Sequence, residues 1–518
     1  MDDPLFVWTA QQIAHHPLNP YGFRLVWYDT DMAMSAVTKN PPLASYYGAL
    51  VGMVAGWSER AWHFGFLLPA LAVVLGTHHL AERFTASPLI AAAATLVAPG
   101  FLVSATGVMC DVMMLALWVW AVIFWLKALD SGKALHFVAS SVLMAACALT
   151  KYFGASLMLL LPACALLQHR RLRTWLWYLL IPAAGLVWYQ LWTKALYGRG
   201  LLWDAAQYAQ SPEHVDQASR LTSVLVGLSV LGGCSLPILL FSPFLWNRRQ
   251  LILGGLAAAV AGLAVATHWV LPAIRDPQPH WPWIAVQFAF YFAGGVFVLG
   301  LATTDYIIRR DADAALLGLW VLGTFLFAAL LNWTVNARSV LPLIPAAAIL
   351  LARRLDETRA ASASWSRARL VVPLALSAII SLTVAWGDTA LANSGRAMAS
   401  FIHRQTQKQP GSILFEGHWG FQYYMQLFGA RPMEYNKFAF QTGDLVVIPE
   451  NATNTFPIPP QFVAAQQILQ IDSHAPAAAM GQGAGFYSSI WGPLPFSFGR
   501  AASELYLVVN LQPIESAH

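Results

Sequence analysis

The chain has 518 residues, of which 58% are hydrophobic and 11% charged, with 22 Trp and a net charge of +5. A soluble globular chain carries about 25% charged residues, so this composition excludes an ordinary soluble domain and reads as a polytopic membrane protein. The small positive charge is spread over loops with no long basic run, so nucleic acid is not an expected partner.

The first fifty residues are polar and broken by proline. They open Met1-Asp2-Asp3-Pro4 and close on Lys39-Asn40-Pro41-Pro42-Leu43-Ala44-Ser45-Tyr46-Tyr47. Pro42 to Trp57 is short for a span and rich in Gly and aromatics, which predicts a half-buried helix at the membrane interface.

Apolar runs follow at 61–83, 88–107, 111–128, 134–150, 152–168, 175–193, 220–244, 250–270, 282–308, 313–332, 338–352 and 368–387. They predict about 12 spans. Lys and Arg concentrate in alternate loops: Arg83; Lys127 and Lys133; Arg170, Arg171 and Arg173; Arg248 and Arg249; Arg309 and Arg310; Arg353 and Arg354. The positive-inside rule makes these loops cytoplasmic. It puts the opening segment, Lys151, Arg338 and the C-terminal region on the extracytoplasmic side. A polar N-terminus outside needs a way across, so a first helix is expected ahead of Asp2.

Two outer loops are long enough to cap a cavity or to serve as connectors. One runs from Tyr197 to Arg220 with Asp204, Glu213 and His214; the other runs from Leu271 to Trp283 with Arg275 and Asp276. From about Asp388 the texture changes. Gly411–Glu416, Asp444–Pro449 and Leu505–Asn510 read as strands and Trp419–Phe428 as a helix. The expected organisation is an outer loop with interfacial helices over 1–60, a helical membrane domain over 61–387, and a small α/β domain over 388–518. No glycine-rich phosphate loop follows these strands.

Cys110, Cys147, Cys164 and Cys234 sit in or beside apolar runs without metal-ligand spacing and read as small buried hydrophobes. The histidines show no HExxH or comparable pattern, so no metal ligand is assigned.

A few charges stand out against the apolar background. Asp2 and Asp3 are either a solvated terminus ahead of a proline-led helix or a proton acceptor at the membrane surface. Asp111 is a lone carboxylate whose nearest acids are Glu82 and Asp130. It suits a helix cap or a functional carboxylate equally. Lys151, in Leu149-Thr150-Lys151-Tyr152, lies on the side where lysines are scarce. It is either a snorkelling anchor or a point charge for phosphate. Lys39 has the same ambiguity. Arg338, in Asn336-Ala337-Arg338-Ser339, heads a span, where it anchors the interface or grips phosphate. Together, acids and cations recur on one membrane face at the ends of separate helices.

The ordered set resembles the GT-C glycosyltransferases. It comprises Asp2-Asp3, then Lys39-Asn-Pro-Pro-Leu-x-x-Tyr46-Tyr47, then Asp111, then Leu149-Thr-Lys151. It is most similar to the bacterial branch of the aminoarabinose transferase and the protein-mannosyltransferase-like enzymes. The likeness covers residues 2–170 well and the Arg338–Pro345 segment weakly. It departs at Asn40, inserted before the prolines, and after Asp111, where relatives have proline.

The resemblance implies an all-α polytopic GT-C fold with its active site on the extracytoplasmic face. It implies transfer of a hexosyl or pentosyl unit, with inversion, from a polyprenyl-phosphate sugar to a lipid, glycan or protein acceptor. Asp2 would be the base, with Asp3 and Asp111 also catalytic. Lys39, Tyr46, Lys151 and Arg338 would bind substrate. No cofactor is assigned, and a divalent cation is left open. The competing class is a transporter or flippase of lipid-linked sugars. Such proteins show internal repeats and midplane polar residues, and the chain has no clear repeat.

Overall fold

The computed structural model describes residues 3–169, 174–210, 219–271, 274, 279–361, 366–406, 411–434, 437, 441, 443–453, 455–499 and 503–512. Asp2, Arg170, Arg171, Arg173, Glu213, His214, Arg275 and Asp276 lie outside the described residues.

The chain is mostly helical. Among the described residues, six helices are long and apolar enough to cross a membrane: Glu59–Ala81, Cys110–Ser131, Arg248–Ala266, Trp281–Arg309, Ala312–Leu331 and Arg367–Thr406. By length and composition, two bent pairs raise the count among the described residues to eight, fewer than the 12 apolar runs of the sequence. The reasons are local. The run at 88–107 is two helices meeting at 61°, and the run at 220–244 is two meeting at 84°. In each case proline opens the second helix, Pro99 or Pro237, because it lacks the N–H that would continue the first. The runs at 134–150 and 152–168 are too short. The run at 338–352 starts as a four-residue helix, Ala337–Val340, and ends in the charged half of Ile344–Ala360.

Helix Cys110–Ser131 is the axis of the bundle, and Met114, Leu115, Val119, Ala121, Val122 and Trp125 on it are fully buried. Its 22 residues span about 33 Å, close to the ~30 Å hydrocarbon core of a bilayer. Asp111 lies in its first turn and Asp130 in its last. Around Asp130, Arg83 pairs with Asp130 and Asp313 at 2.5 and 3.2 Å, and Arg309 pairs with Glu357 at 2.6 Å. One end of the bundle is therefore tied by ion pairs, and Asp111 belongs to the other end.

The interfacial reading of the segment after Pro42 finds its counterpart in helix Leu43–Ala55. Its outer face exposes Leu50, Met53 and Val54, while Ala44 and Ala49 pack inward.

The C-terminal region holds a five-stranded sheet in the order Arg431–Pro432, Ile413–Phe415, Leu445–Pro449, Glu504–Leu511, Val463–Ile471. The first three strands are parallel and the last two pairings antiparallel. Strand alternation splits the sheet's side chains between two small cores. Val447, Tyr506 and Val508 face Met398, Ile402 and Phe421, and Val446, Ile448 and Val509 face Met433. The last membrane helix does not stop at residue 387. It runs unbroken from Arg367 to Thr406, and its end builds the first of these cores.

Between the last two strands to be formed, Ala475–Gly499 leaves the sheet and packs on the membrane bundle. Phe486, Leu494 and Phe496 are buried in the bundle's main core. Gly387 permits the approach, since a Cβ there would collide with the Ala477 carbonyl.

Candidate active site

Asp111 and Lys151 come from neighbouring antiparallel helices. Asp111 sits one residue into Cys110–Ser131, where the helix dipole favours a carboxylate. Lys151 ends helix Ala134–Thr150 in extended conformation, before the tight Tyr152–Ser156 turn. Lys151 Nζ lies 2.5 Å from Asp111 Oδ1. Asp111 is 2% exposed, and its Oδ2 has no hydrogen-bond partner among the described residues. A buried carboxylate of this kind requires a counter-charge, and Lys151 supplies it. Arg338 also lies within electrostatic range of Asp111.

Arg338 is placed by a short helix that Asn336 caps, its side chain accepting from the Ser339 N–H at 2.9 Å. The guanidinium lies 5.6 Å from the centre of the Tyr487 ring. Backbone bonds fix that neighbour: Ala337 N–H donates to the Phe486 carbonyl, and Ser489 N–H donates to Val335. Tyr487 Oη donates to both carboxylate oxygens of Asp388, at 3.0 and 2.9 Å. Burial pushes the Tyr487 phenol well above its ordinary value. Asp388 and Asp3 push the same way and Arg338 opposes them. These influences place Asp3, Asp388 and Arg338 around one phenol.

Asp3 opens helix Asp3–His15. Its Oδ1 accepts the Val108 N–H at 2.8 Å, in the turn that leads into Asp111. The structure thus gathers Asp3, Asp111, Lys151 and Arg338 at one end of the bundle, with Asp388 and Tyr487 added.

Lys39 and Tyr46 stand apart from that group. Lys39 Nζ pairs with Asp204 Oδ2 at 2.9 Å and lies 4.8 Å from the Tyr208 ring centre. Arg199 holds the other Asp204 oxygen at 3.2 Å. The two clusters adjoin through Tyr152, next to Lys151, whose hydroxyl donates to the Leu201 carbonyl at 3.2 Å. Tyr46 Oη donates to the Pro17 carbonyl at 2.5 Å, and its ring packs beside the Ala10, Ile13 and Trp62 cluster. Among the described residues, no group of three or more His, Cys, Asp or Glu is placed to hold a metal ion.

Residues 39–192 match the family model described as dolichyl-phosphate-mannose-protein mannosyltransferase. Over that stretch the chain is similar to this family. The resemblance drawn from the Lys39, Asp111 and Lys151 motifs is borne out there. The mannosyltransferase-like stretch contains Lys39, Tyr46, Asp111 and Lys151, while Arg338, Asp388 and Tyr487 lie beyond it.

Two solved structures are similar in outline. ArnT from Cupriavidus metallidurans in the apo state shares 16% identity at a TM-score of 0.41, over 86% of this chain and 88% of that one. The same protein bound to undecaprenyl phosphate shares 15% at 0.42, over 87% and 88%. No curated protein matches the chain.

Proposed function

We propose that the chain is a membrane glycosyltransferase that moves a sugar from a polyprenyl-phosphate donor to an acceptor hydroxyl, on the extracytoplasmic face of a bacterial cytoplasmic membrane. The observation that carries the reading is the Asp111–Lys151 pair with Arg338 beside it. Two cations from separate helices converge on one buried carboxylate, at the end of the bundle opposite the ion-paired belt around Asp130. Two cations held there suit a phosphate that gains charge as it leaves. The mannosyltransferase-like match over residues 39–192 supports the same class of donor.

In the proposed step the acceptor oxygen attacks the anomeric carbon and the bond from that carbon to the phosphate oxygen breaks. The phosphate keeps the electron pair, and the acceptor proton passes to Asp2. One displacement inverts the anomeric centre. Lys151 and Arg338 compensate the leaving phosphate. Asp3 holds the turn before Asp111 through the Val108 N–H. Lys39 joins the phosphate when it exchanges Asp204 for the donor. Tyr46 fixes the opening segment through Pro17.

The test is transfer of labelled sugar from a polyprenyl phosphate by the purified chain in detergent. Asp2→Asn is expected to lower turnover by about 10² to 10⁴. Wild-type turnover in that variant overturns the base assignment. Movement of intact lipid-linked sugar across vesicles without product overturns the transferase reading.

A further inference from the structure

Helix Asp3–His15 presents Trp8, Gln11, Gln12 and His15 at the i, i+3, i+4, i+7 spacing that lines one helical face. This face looks into an open groove of about 360 Å³, within the range of small-ligand sites. The far wall is Phe23 to Leu25 of the Arg24–Trp27 hairpin strand and Gln426 of helix Trp419–Leu427. Three separate parts of the chain thus meet there, and none of the residues proposed for donor chemistry lines it.

The groove's chemistry is specific. The side-chain amides of Gln11 and Gln426 are engaged by no described residue. Gln12 spends one donor on the Asn19 carbonyl at 3.3 Å. Each primary amide sets donors beside an acceptor, which complements neighbouring hydroxyl groups. Trp8, tilted against Tyr423 at 6.3 Å, adds a flat apolar body with one N–H. Among the described residues no acid lines the groove, and the arginine there is spent: Arg24 donates to Asp31 Oδ2 at 2.9 Å and to the Asp31 carbonyl at 3.0 Å. An uncharged ligand with a polar rim and an apolar ring face fits this lining, whereas a phosphate or an acidic peptide does not.

Position gives the groove a direction. At 1.5 Å per residue, Trp8 lies about 7.5 Å and His15 about 18 Å along the helix from Asp3. From Trp8 to His15 the groove is about 10.5 Å long, room for about two sugar rings, and leads toward the carboxylate end of the helix. We infer that it binds the carbohydrate portion of the acceptor and delivers one hydroxyl to the donor site. The acceptor class is therefore a glycan. This inference rests on the transferase reading for its delivery step, but its binding step stands alone.

The test uses the full chain in detergent with three probes: mannotetraose, chitotetraose and a Gly-Ser decapeptide, read by saturation-transfer NMR. At least one oligosaccharide is expected to receive saturation. Its affinity is expected to fall about tenfold in the double variant Gln11→Ala/Gln426→Ala, which removes one hydrogen-bonding group on each wall. Both positions are partly exposed, and an unchanged melting temperature confirms that the variant folds. Saturation of the decapeptide alone, of no probe, or of an oligosaccharide with equal strength in the double variant overturns the inference.

Release of polyprenyl phosphate from the donor by water separates this result from the transferase reading. Its absence in the wild-type chain, together with absence of sugar transfer to any acceptor, sinks that reading and leaves the binding result intact. Its retention in the double variant, together with lost transfer to the oligosaccharide, is the expected pattern.

Discussion

Lys151 Nζ and Asp111 Oδ1 meet at 2.5 Å between the end of helix Ala134–Thr150 and the start of the preceding helix, Cys110–Ser131. A methionine at 151 would leave a buried carboxylate with Arg338 as its remaining cation. Breaking a buried pair costs about 3–5 kcal/mol. Lys151→Met is expected to lose that much stability in denaturant titrations in detergent. Lys151→Met/Asp111→Asn is expected to recover most of it, with no recovery of sugar transfer. A stable single variant would show that the pair carries no weight in folding.

The contact of Tyr487 with Asp388 crosses from the C-terminal region to the last membrane helix. Tyr487→Phe removes the donor from both carboxylate oxygens and is expected to cost about 1–3 kcal/mol. Asp388→Asn still offers the phenol an acceptor and is expected to be close to neutral in stability. Tyr487→Phe is also expected to lower transfer, because the ring beside Arg338 loses its fixed position, whereas Asp388→Asn keeps the ring in place and is expected to retain it. Equal melting temperatures for wild type and Tyr487→Phe would remove the tie from the account.

Much of this site is legible in the sequence. Asp111 and Lys151 stand out because a charge in an apolar run is costly, and each marks a helix end. Pro99 and Pro237 are readable as breaks, although hydropathy alone merges the helices they separate. Asp388 is also a lone acid after an apolar run, but there it reads as the start of a new domain. Its partner Tyr487 lies 99 residues away, and no spacing rule joins them. Asp204 is hidden in the same way, 165 residues from Lys39. Strand Val463–Ile471 is an edge strand with five successive exposed residues, so it shows none of the alternation that betrays a strand with one buried face.

Helices Arg220–Cys234 and Trp281–Arg309 cross at glycine. A Cβ at Gly232 would collide with the Tyr291 carbonyl and the Gly295 nitrogen, and one at Gly295 with the Leu228 carbonyl. Small residues allow helices in a membrane to approach this closely. Gly232→Ala and Gly295→Ala are each expected to cost about 1–3 kcal/mol. Gly300→Ala, on the same helix with open space around it, is expected to be neutral or slightly stabilising. Denaturant titration of the three variants checks the contrast.

Glu416 and Asp29 form an acidic pair between the C-terminal sheet and the first hairpin. Burial raises the Glu416 carboxyl from 4.5 to about 8, with Asp29 adding to the shift. Burial raises Asp29 from 3.8 to about 7. Folding therefore favours the protonated forms. Their contribution is fully present below the unfolded values and is lost as pH rises through the folded ones. The melting temperature is expected to fall between about pH 4 and pH 8. Glu416→Gln, neutral throughout, is expected to remove Glu416's share of that slope and leave the share of Asp29, whose shift comes from burial. A wild-type melting temperature that rises over this window contradicts the assignment.

The helix from Arg367 to Thr406 has 40 residues, about 60 Å at 1.5 Å per residue. A bilayer core accounts for about half of that length. The remainder stands out of the membrane as a stiff shaft, with Met398, Ala399 and Ile402 buried against the sheet. Without a swivel between them, the sheet cannot turn unless the shaft turns with it. Asp388 sits on this shaft and Tyr487 grips it from the side, so the C-terminal region is a fixed wall of the proposed site. On that proposal, substrates enter past the opening segment and helix Leu201–Gln210, which carries Asp204, where short helices and a two-stranded hairpin can yield without twisting a membrane span.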